Sequence, residues 1–228
     1  MRISLCLIVW NECENCKVQV PQLPVEIFDE IYAVDGGSTD GTTEYLQSQD
    51  IAVYRQSKSG LNAAYVLANN LSTCEAVVAF FPKNTIHTRE LNKIRPFLEN
   101  GYGLVIASRQ IPGSINEENT SCWRPRKWLV KLLAIFAGII WRREGYWVKD
   151  VLHGFKGWHR DAFRRMQILD YGLSIDIEMV IRAYKLRISR TEFPITETAR
   201  QHGSSKFKIW PTGKLLLSYL WFELRRNN

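Results

Sequence analysis

The feature that most constrains the fold is a series of short, almost uninterrupted apolar runs at residues 3–9, 30–34, 51–54, 77–81 and 104–107. The stretches between them are long enough for helices. A strand that is apolar on both faces must be covered on both faces, and strands that alternate with helices line up in a largely parallel sheet. The sequence therefore predicts an α/β fold, a mostly parallel central sheet with helices on both sides. No Ser/Gly-rich linker or shift in composition divides the 228 residues, so a single domain over 1–228 is expected. The opening segment, Met1-Arg2-Ile3-Ser4-Leu5-Cys6-Leu7-Ile8-Val9, is too short for a secretory leader and runs into Trp10-Asn11-Glu12 without a small-residue cleavage site, so it reads as the first buried strand.

The second run leads into the most informative stretch. Ile31-Tyr32-Ala33-Val34 stops at an acid, Asp35; a Gly/Ser/Thr turn follows, and Thr43-Glu44-Tyr45-Leu46 begins a helix. Ligands of open α/β sheets sit at the carboxyl ends of the strands, so Asp35 is expected to point into a crevice that takes a nucleotide. The backbone N–H groups of Gly37 and Ser38 face the same space, and Asp40 is placed to cap the helix. Taken alone, Asp-Gly-Gly-Ser is also a common turn.

Val34-Asp35-Gly36-Gly37-Ser38-Thr39-Asp40-Gly41-Thr42 resembles the Val-Asp-Asp-Gly-Ser-Thr-Asp-Gly-Thr signature of family 2 glycosyltransferases with the GT-A fold, with Gly36 in place of the second acid. The resemblance implies that Asp35 holds the nucleotide base while the glycines shape the turn. Val9-Trp10-Asn11-Glu12 resembles the family's Pro-x-Tyr-Asn-Glu, which implies a base stacked on Trp10 and a ribose hydroxyl on Glu12; a half-buried indole and a solvated acid are the plain alternatives. Residues 56–65 fall where the family has a small-residue helix start near the diphosphate.

The next motif departs from the family. Where the family carries Asp-x-Asp for a divalent cation, this chain has Phe81-Pro82-Lys83-Asn84. Hard cations want carboxylate oxygens, which Phe81 and Lys83 lack, so Mg²⁺ or Mn²⁺ held in the family's manner is not expected. Either Lys83 places its ammonium where the cation would be and neutralises the diphosphate, or the domain binds without catalysing. Gly103-Leu104-Val105-Ile106-Ala107-Ser108-Arg109 resembles the family's Gly-Ser-Arg strand end, and Arg109 meets a phosphate or pairs with an acid. Cys13-x-x-Cys16 has no second pair at a useful spacing, so no metal is assigned, and the odd number of cysteines, five, points to a reducing compartment.

The second half resembles polyprenyl-phosphate sugar transferases of the dolichol-phosphate mannose synthase group. The matching segments are Asp150-Val151-Leu152-His153-Gly154-Phe155-Lys156-Gly157-Trp158-His159-Arg160, with His153 for the usual Ser, then residues 174–183 around Glu178, and Glu192-Phe193-Pro194-Ile195. The loop Arg200-Gln201-His202-Gly203-Ser204-Ser205-Lys206 resembles the group's Arg-x-x-Gly-x-Ser-Lys. The resemblance implies that Asp150 and Glu178 position sugar or acceptor while Arg200, Ser205 and Lys206 clamp phosphates. Residues 128–141 make about 21 Å of helix, too short to cross a bilayer, with Trp at both ends and basic clusters outside. Residues 124–143 and 213–226 are therefore expected to be membrane-surface helices, a buried core helix being the alternative for the first.

The excess of basic residues, +7 overall, suits phosphate-bearing ligands or an anionic membrane, while no nucleic-acid recognition motif accompanies it. A lipid phosphate, with a second pKa near 6, needs little help from a general base, and no base motif of the processive polysaccharide synthases is present. The expected protein is an inverting glycosyltransferase at the cytoplasmic membrane face, attached peripherally or through a membrane-protein partner. It would move a sugar from a UDP- or GDP-sugar to a polyprenyl phosphate. A saccharide-hydroxyl acceptor and a non-catalytic binding protein are the alternatives.

Overall fold

The computed structural model describes residues 1–115, 125–199 and 209–226. The five apolar runs become β1 (Ile3–Val9), β2 (Glu30–Asp35), β3 (Ala52–Arg55), β4 (Ala76–Phe80) and β5 (Leu104–Ser108). Together with β6 (Lys156–His159) and β7 (Arg190–Pro194) they form one seven-stranded sheet in the order β3-β2-β1-β4-β6-β5-β7. β6 runs antiparallel to both its neighbours, and the other pairings are parallel. The order reverses at β1, with β2 on one side and β4 on the other, which places a crevice beyond the carboxyl ends of β1 and β4.

The helices are α1 (Cys13–Gln19), α2 (Thr42–Ser48), α3 (Leu61–Leu71), α4 (Arg95–Glu99), α5 (Pro125–Trp141), α6 (Arg160–Met166), α7 (Ile175–Lys185) and α8 (Ile209–Arg225). Successive side chains of a strand point to opposite faces, and the two cores divide accordingly. Cys6 and Ile8 of β1 join the cluster under α3, α5, α6, α7 and α8. Leu5, Leu7 and Val9 join the cluster on the other face, with Cys16 of α1, Leu46 of α2 and Leu98 of α4. Cys13 and Cys16 are buried in this second layer, where burial pushes the Cys16 thiol up to about 12.

Two local expectations are revised. β6 had no periodic signature, because four residues around Gly157 carry no alternation to detect. The helix after Asp35 starts behind Gly41, at φ +90°, and Asp40 acts one position earlier. Its carboxylate accepts the Thr42 N–H at 3.1 Å and also the Cys13 N–H at 3.0 Å, so one acid satisfies first-turn amides of both α1 and α2.

Both α5 and α8 bury one stripe and expose another. Val130, Leu133, Ala134 and Ala137 face the core, whereas Trp128, Leu132, Ile135 and Ile139 face outward. On α8, Leu216, Tyr219 and Leu220 are buried, and Leu217, Trp221 and Phe222 are exposed. Among the described residues no helix is long and apolar enough to cross a membrane.

Candidate active site

The carboxyl edge of the sheet carries two groupings. The first is the turn after β2. Asp35 is buried, and its carboxylate accepts the Gly37 N–H at 3.0 Å, the Ser38 N–H at 3.0 Å and the Ser38 hydroxyl at 2.5 Å. Asn11, at φ +51°, binds the other end of the turn: its N–H donates to Ser38 Oγ and its Oδ1 accepts the Thr39 N–H, both at 2.8 Å. Asp35 thus shapes the turn itself, and the Gly37 and Ser38 N–H groups, expected to face the ligand, are turned onto its carboxylate instead. Trp10 is 51% exposed beside it. A Cβ on Gly36 would stand 3.2 Å from Trp10 Cβ and 3.3 Å from its Cγ, so the departure from the family's second acid leaves room for this indole. Glu12, by contrast, is buried, its carboxylate accepting from Asn15 Nδ2 at 2.7 Å and its N–H donating to Thr42 Oγ1 at 2.9 Å.

The second grouping is a cleft of about 190 Å³ where the ends of β4 and β5 meet the entry to β6 and the start of α7. Its walls include Phe81, Lys83, Arg109, His153, Asp176 and Glu197. β2 and β4 flank β1, so the cleft begins about 10 Å from the Asp35 turn. Lys83 Nζ lies 4.6 Å from the centroid of the Phe81 ring. Gly154 permits this wall, since a Cβ there would stand 2.7 Å from Phe81 Cε2. The Gly154 carbonyl accepts from the Tyr65 hydroxyl beneath.

Arg109 is fixed by two acids. Its Nε and Nη2 donate to Asp150 at 2.8 and 3.0 Å, its N–H donates to the same carboxylate at 3.0 Å, and its Nη1 donates to Glu197 at 3.1 Å. Burial opposes the Asp150 charge, but Arg109 more than offsets that and holds the carboxyl down to about 2. Asp150 is fully buried, is not part of the cleft wall and acts on the cleft through Arg109. The expectation that it positions substrate directly is revised to that extent.

Glu178 also departs from its expected place. It is fully buried, does not line the cleft, and accepts from Asn62 Nδ2 at 2.8 Å, the Ser174 hydroxyl at 2.9 Å and the Leu169 N–H at 2.9 Å. Burial raises its pKa against these bonds. Asn62, in the segment expected near the diphosphate, is spent on Glu178 and on the Ile175 N–H. The acid of α7 that reaches the cleft is Asp176, two residues earlier and so on another side of the helix. It binds Lys156 Nζ, which also donates to the His153 carbonyl and is fully buried beneath the cleft. Lys156 is set between the buried Phe155 and Trp158, and a lysine so buried requires an acid nearby. The sequence carried no comparable sign of Glu197. Arg200, Ser205 and Lys206 lie outside the described residues.

Lys83, Arg109 and Lys156 are matched by Asp150, Asp176 and Glu197, so these groups balance in formal charge. The residues at the end of β4 do not fit a divalent cation, and among the described residues no three His, Cys, Asp or Glu side chains gather as metal ligands. His153 completes the wall. Burial, with Arg109 adding to it, holds its imidazole down to about 4 against an ordinary 6.5.

Residues 25–167 match the family model described as glycosyl transferase family 2. The chain is 27% identical over 207 residues, 88% of its length, to glycosyltransferase AglJ of Haloferax volcanii, of which it spans 65%. It is 28% identical over 225 residues to the polyprenol monophosphomannose synthase of Mycolicibacterium smegmatis, covering 90% of this chain and 80% of that one. Among solved structures, glucosyl-3-phosphoglycerate synthase from Mycobacterium tuberculosis, in complex with phosphoglyceric acid, overlays 100% of this chain and 81% of its own with a TM-score of 0.74 at 16% identity. Its complex with Mn²⁺, UDP and glucosyl-3-phosphoglycerate gives the same TM-score at 15% identity. At such identities the likeness is one of fold, and the fold is GT-A.

A stability profile tests the His153 environment. The unfolded chain takes up a proton as pH falls through 6.5, whereas the folded chain resists until about 4. The stabilisation is therefore complete above 6.5 and is lost progressively towards 4. Asp150, held at about 2, adds its own loss only below its ordinary 3.8. Between pH 7.5 and 4.5, urea unfolding should show a decline about 2 kcal/mol larger in the wild type than in His153→Ser. Parallel profiles would contradict the assignment.

Proposed function

Since the chain belongs to glycosyl transferase family 2, we propose that it transfers a sugar, with inversion, from a nucleoside diphosphate sugar to a polyprenyl phosphate. The observation that carries this reading is the pairing of two sites on one sheet edge. The Asp35 turn sets an acid beside the exposed Trp10 ring, a chemistry that suits a nucleoside, and a cleft bearing Lys83 and Arg109 starts about 10 Å away. The likeness to a polyprenol monophosphomannose synthase supports the choice of acceptor.

In this reading Asp35 accepts from the base with the lone pairs that the turn leaves over and Trp10 stacks on it, while Gly37 and Ser38 hold the Asp35 carboxylate in place and Glu12 orders the turn from behind. The acceptor phosphate oxygen attacks the anomeric carbon as the bond to the diphosphate breaks and its electron pair leaves with the nucleotide. Lys83 neutralises that leaving charge as a fixed ammonium, the task a cation performs where carboxylates are available. Arg109, pinned by Asp150 and Glu197, supplies a rigid planar donor, and Asp176 and Glu197 offer acceptors to sugar hydroxyls. Arg200, Ser205 and Lys206 contribute further phosphate donors. Glu178 has the supporting role of fixing α3 to α7.

The outward apolar faces of α5 and α8 fit the same acceptor. Both helices pack on one layer of the sheet, and Arg225 covers the Trp221 ring at 4.3 Å. Indoles at headgroup depth with cations beside them are what an interfacial helix requires, so we place these faces on an anionic lipid surface.

Two experiments test these readings. Calorimetric titration with UDP- and GDP-sugars in EDTA should show binding of one class, weakened about tenfold or more in Lys83→Ala. Strict dependence on Mg²⁺ or Mn²⁺, with no effect of Lys83→Ala, would contradict the role of Lys83. Flotation with vesicles containing anionic lipid should recover the protein, and Trp128→Ser combined with Ile139→Ser and Trp221→Ser should abolish recovery while leaving the melting temperature within a few degrees. Equal recovery would contradict the membrane-facing assignment.

A further inference from the structure

His153 has one buried ring nitrogen without a partner among the described residues, and that atom decides where the ring carries its proton. The residue is 4% exposed, it lines the cleft, and its Nδ1 is buried without a partner. Its backbone is held in place, because its carbonyl accepts from Lys156 Nζ and Asp150 is locked to Arg109 just before it. A buried N–H left unpaired is rarer and costlier than an unpaired lone pair. The proton of the neutral ring therefore belongs on Nε2, and Nε2–H is the donor that the side chain has to offer. The charged groups around it are Arg109 and Glu197 on the cleft wall, Lys83 and Asp176 across it, and Asp150 and Lys156 behind.

We propose that His153 is a ligand-binding residue that donates an uncharged hydrogen bond from Nε2 to a phosphoryl oxygen taken up beside Lys83 and Arg109. The inference rests on the function proposed above and adds the residue that reads the phosphate. A sugar hydroxyl would meet better acceptors in Asp176 and Glu197, which share the cleft, whereas phosphoryl oxygens need donors. In a cleft whose charges already balance, an uncharged donor adds orientation without strengthening the field that retains the product diphosphate. The serine expected here from the family resemblance also donates, but from a shorter side chain. The imidazole carries the donor further from the backbone.

The oxygen belongs either to the nucleoside diphosphate or to the acceptor phosphate, and the two are separable. Wild type, His153→Leu and His153→Gln would each be titrated in EDTA with UDP, GDP and geranyl phosphate. The Gln amide N–H reaches the position of Nε2, so His153→Gln should stay within about threefold of wild type, while His153→Leu loses about tenfold or more. Loss confined to geranyl phosphate assigns the bond to the acceptor, and loss confined to a nucleotide assigns it to the donor. If His153→Leu does not fold, His153→Asn, whose amide stops at the Nδ1 position, replaces it. Unchanged affinity in the removal variant overturns this inference alone. A His153→Gln as weak as the removal variant also overturns it, because the ring would then serve packing. A wild type that binds none of the three ligands overturns the proposed function, and this inference with it.

Discussion

The cleft depends on the ion pair between Arg109, on its wall, and the fully buried Asp150. β6 enters the sheet against the direction of its neighbours, so the chain before it must cross the carboxyl edge, where a ligand site needs open space. Asp150 anchors that crossing to the end of β5 through a two-pronged bond and a backbone N–H. Glu192 of β7 accepts the N–H groups of Lys149 and Asp150, each at 2.8 Å, and Glu197 takes the remaining side of Arg109. Removing one partner of such a buried pair typically costs about 3–5 kcal/mol, because the other charge is left without compensation. The ends of β5 and β7 and the loop carrying His153 are held by this one arrangement.

With Arg109 so held, the chemistry of the edge divides by position. At β2 the backbone turns tightly around an acid, which suits a planar base and its ribose. At β4 and β5 the side chains are charged, balanced and rigid, which suits phosphate and sugar. The end of β4 carries Lys83 against Phe81 where the family has Asp-x-Asp, and in the proposed reaction that ammonium takes the part of an exchangeable cation. The apolar outer faces of α5 and α8 lie on the layer of the sheet that also carries α7, so the faces proposed to meet lipid and the Asp176 end of the cleft share one side of the molecule.

Much of this was legible in the sequence. Continuous apolar runs identified the parallel strands, and the acid-then-glycine turn after Tyr32-Ala33-Val34 located the Asp35 site, because strand ends and turns are written in neighbouring residues. β6 was not legible, since a four-residue strand between two others is specified by its partners. The exchange of Glu178 for Asp176 has a similar origin. Two acids two positions apart on a helix face different directions, and which one meets the cleft depends on where α7 starts and what packs on it. Asp150 was noticed as an acid of the motif, but its role followed only once Arg109 lay against it. His153 was visible as a substitution, and its unmet Nδ1 became visible only with the surrounding walls in place.

The proposed reaction is transfer of sugar to a lipid phosphate without help from an exchangeable metal. The most direct measurement is incubation of the protein with UDP- and GDP-sugars and polyprenyl phosphate vesicles in EDTA, followed by NMR of the lipid product. The expected product is a polyprenyl phosphate sugar whose anomeric configuration is opposite to that of the donor. Sugar appearing only on glycan hydroxyls, a product of retained configuration, or no product until Mg²⁺ or Mn²⁺ is added would contradict it.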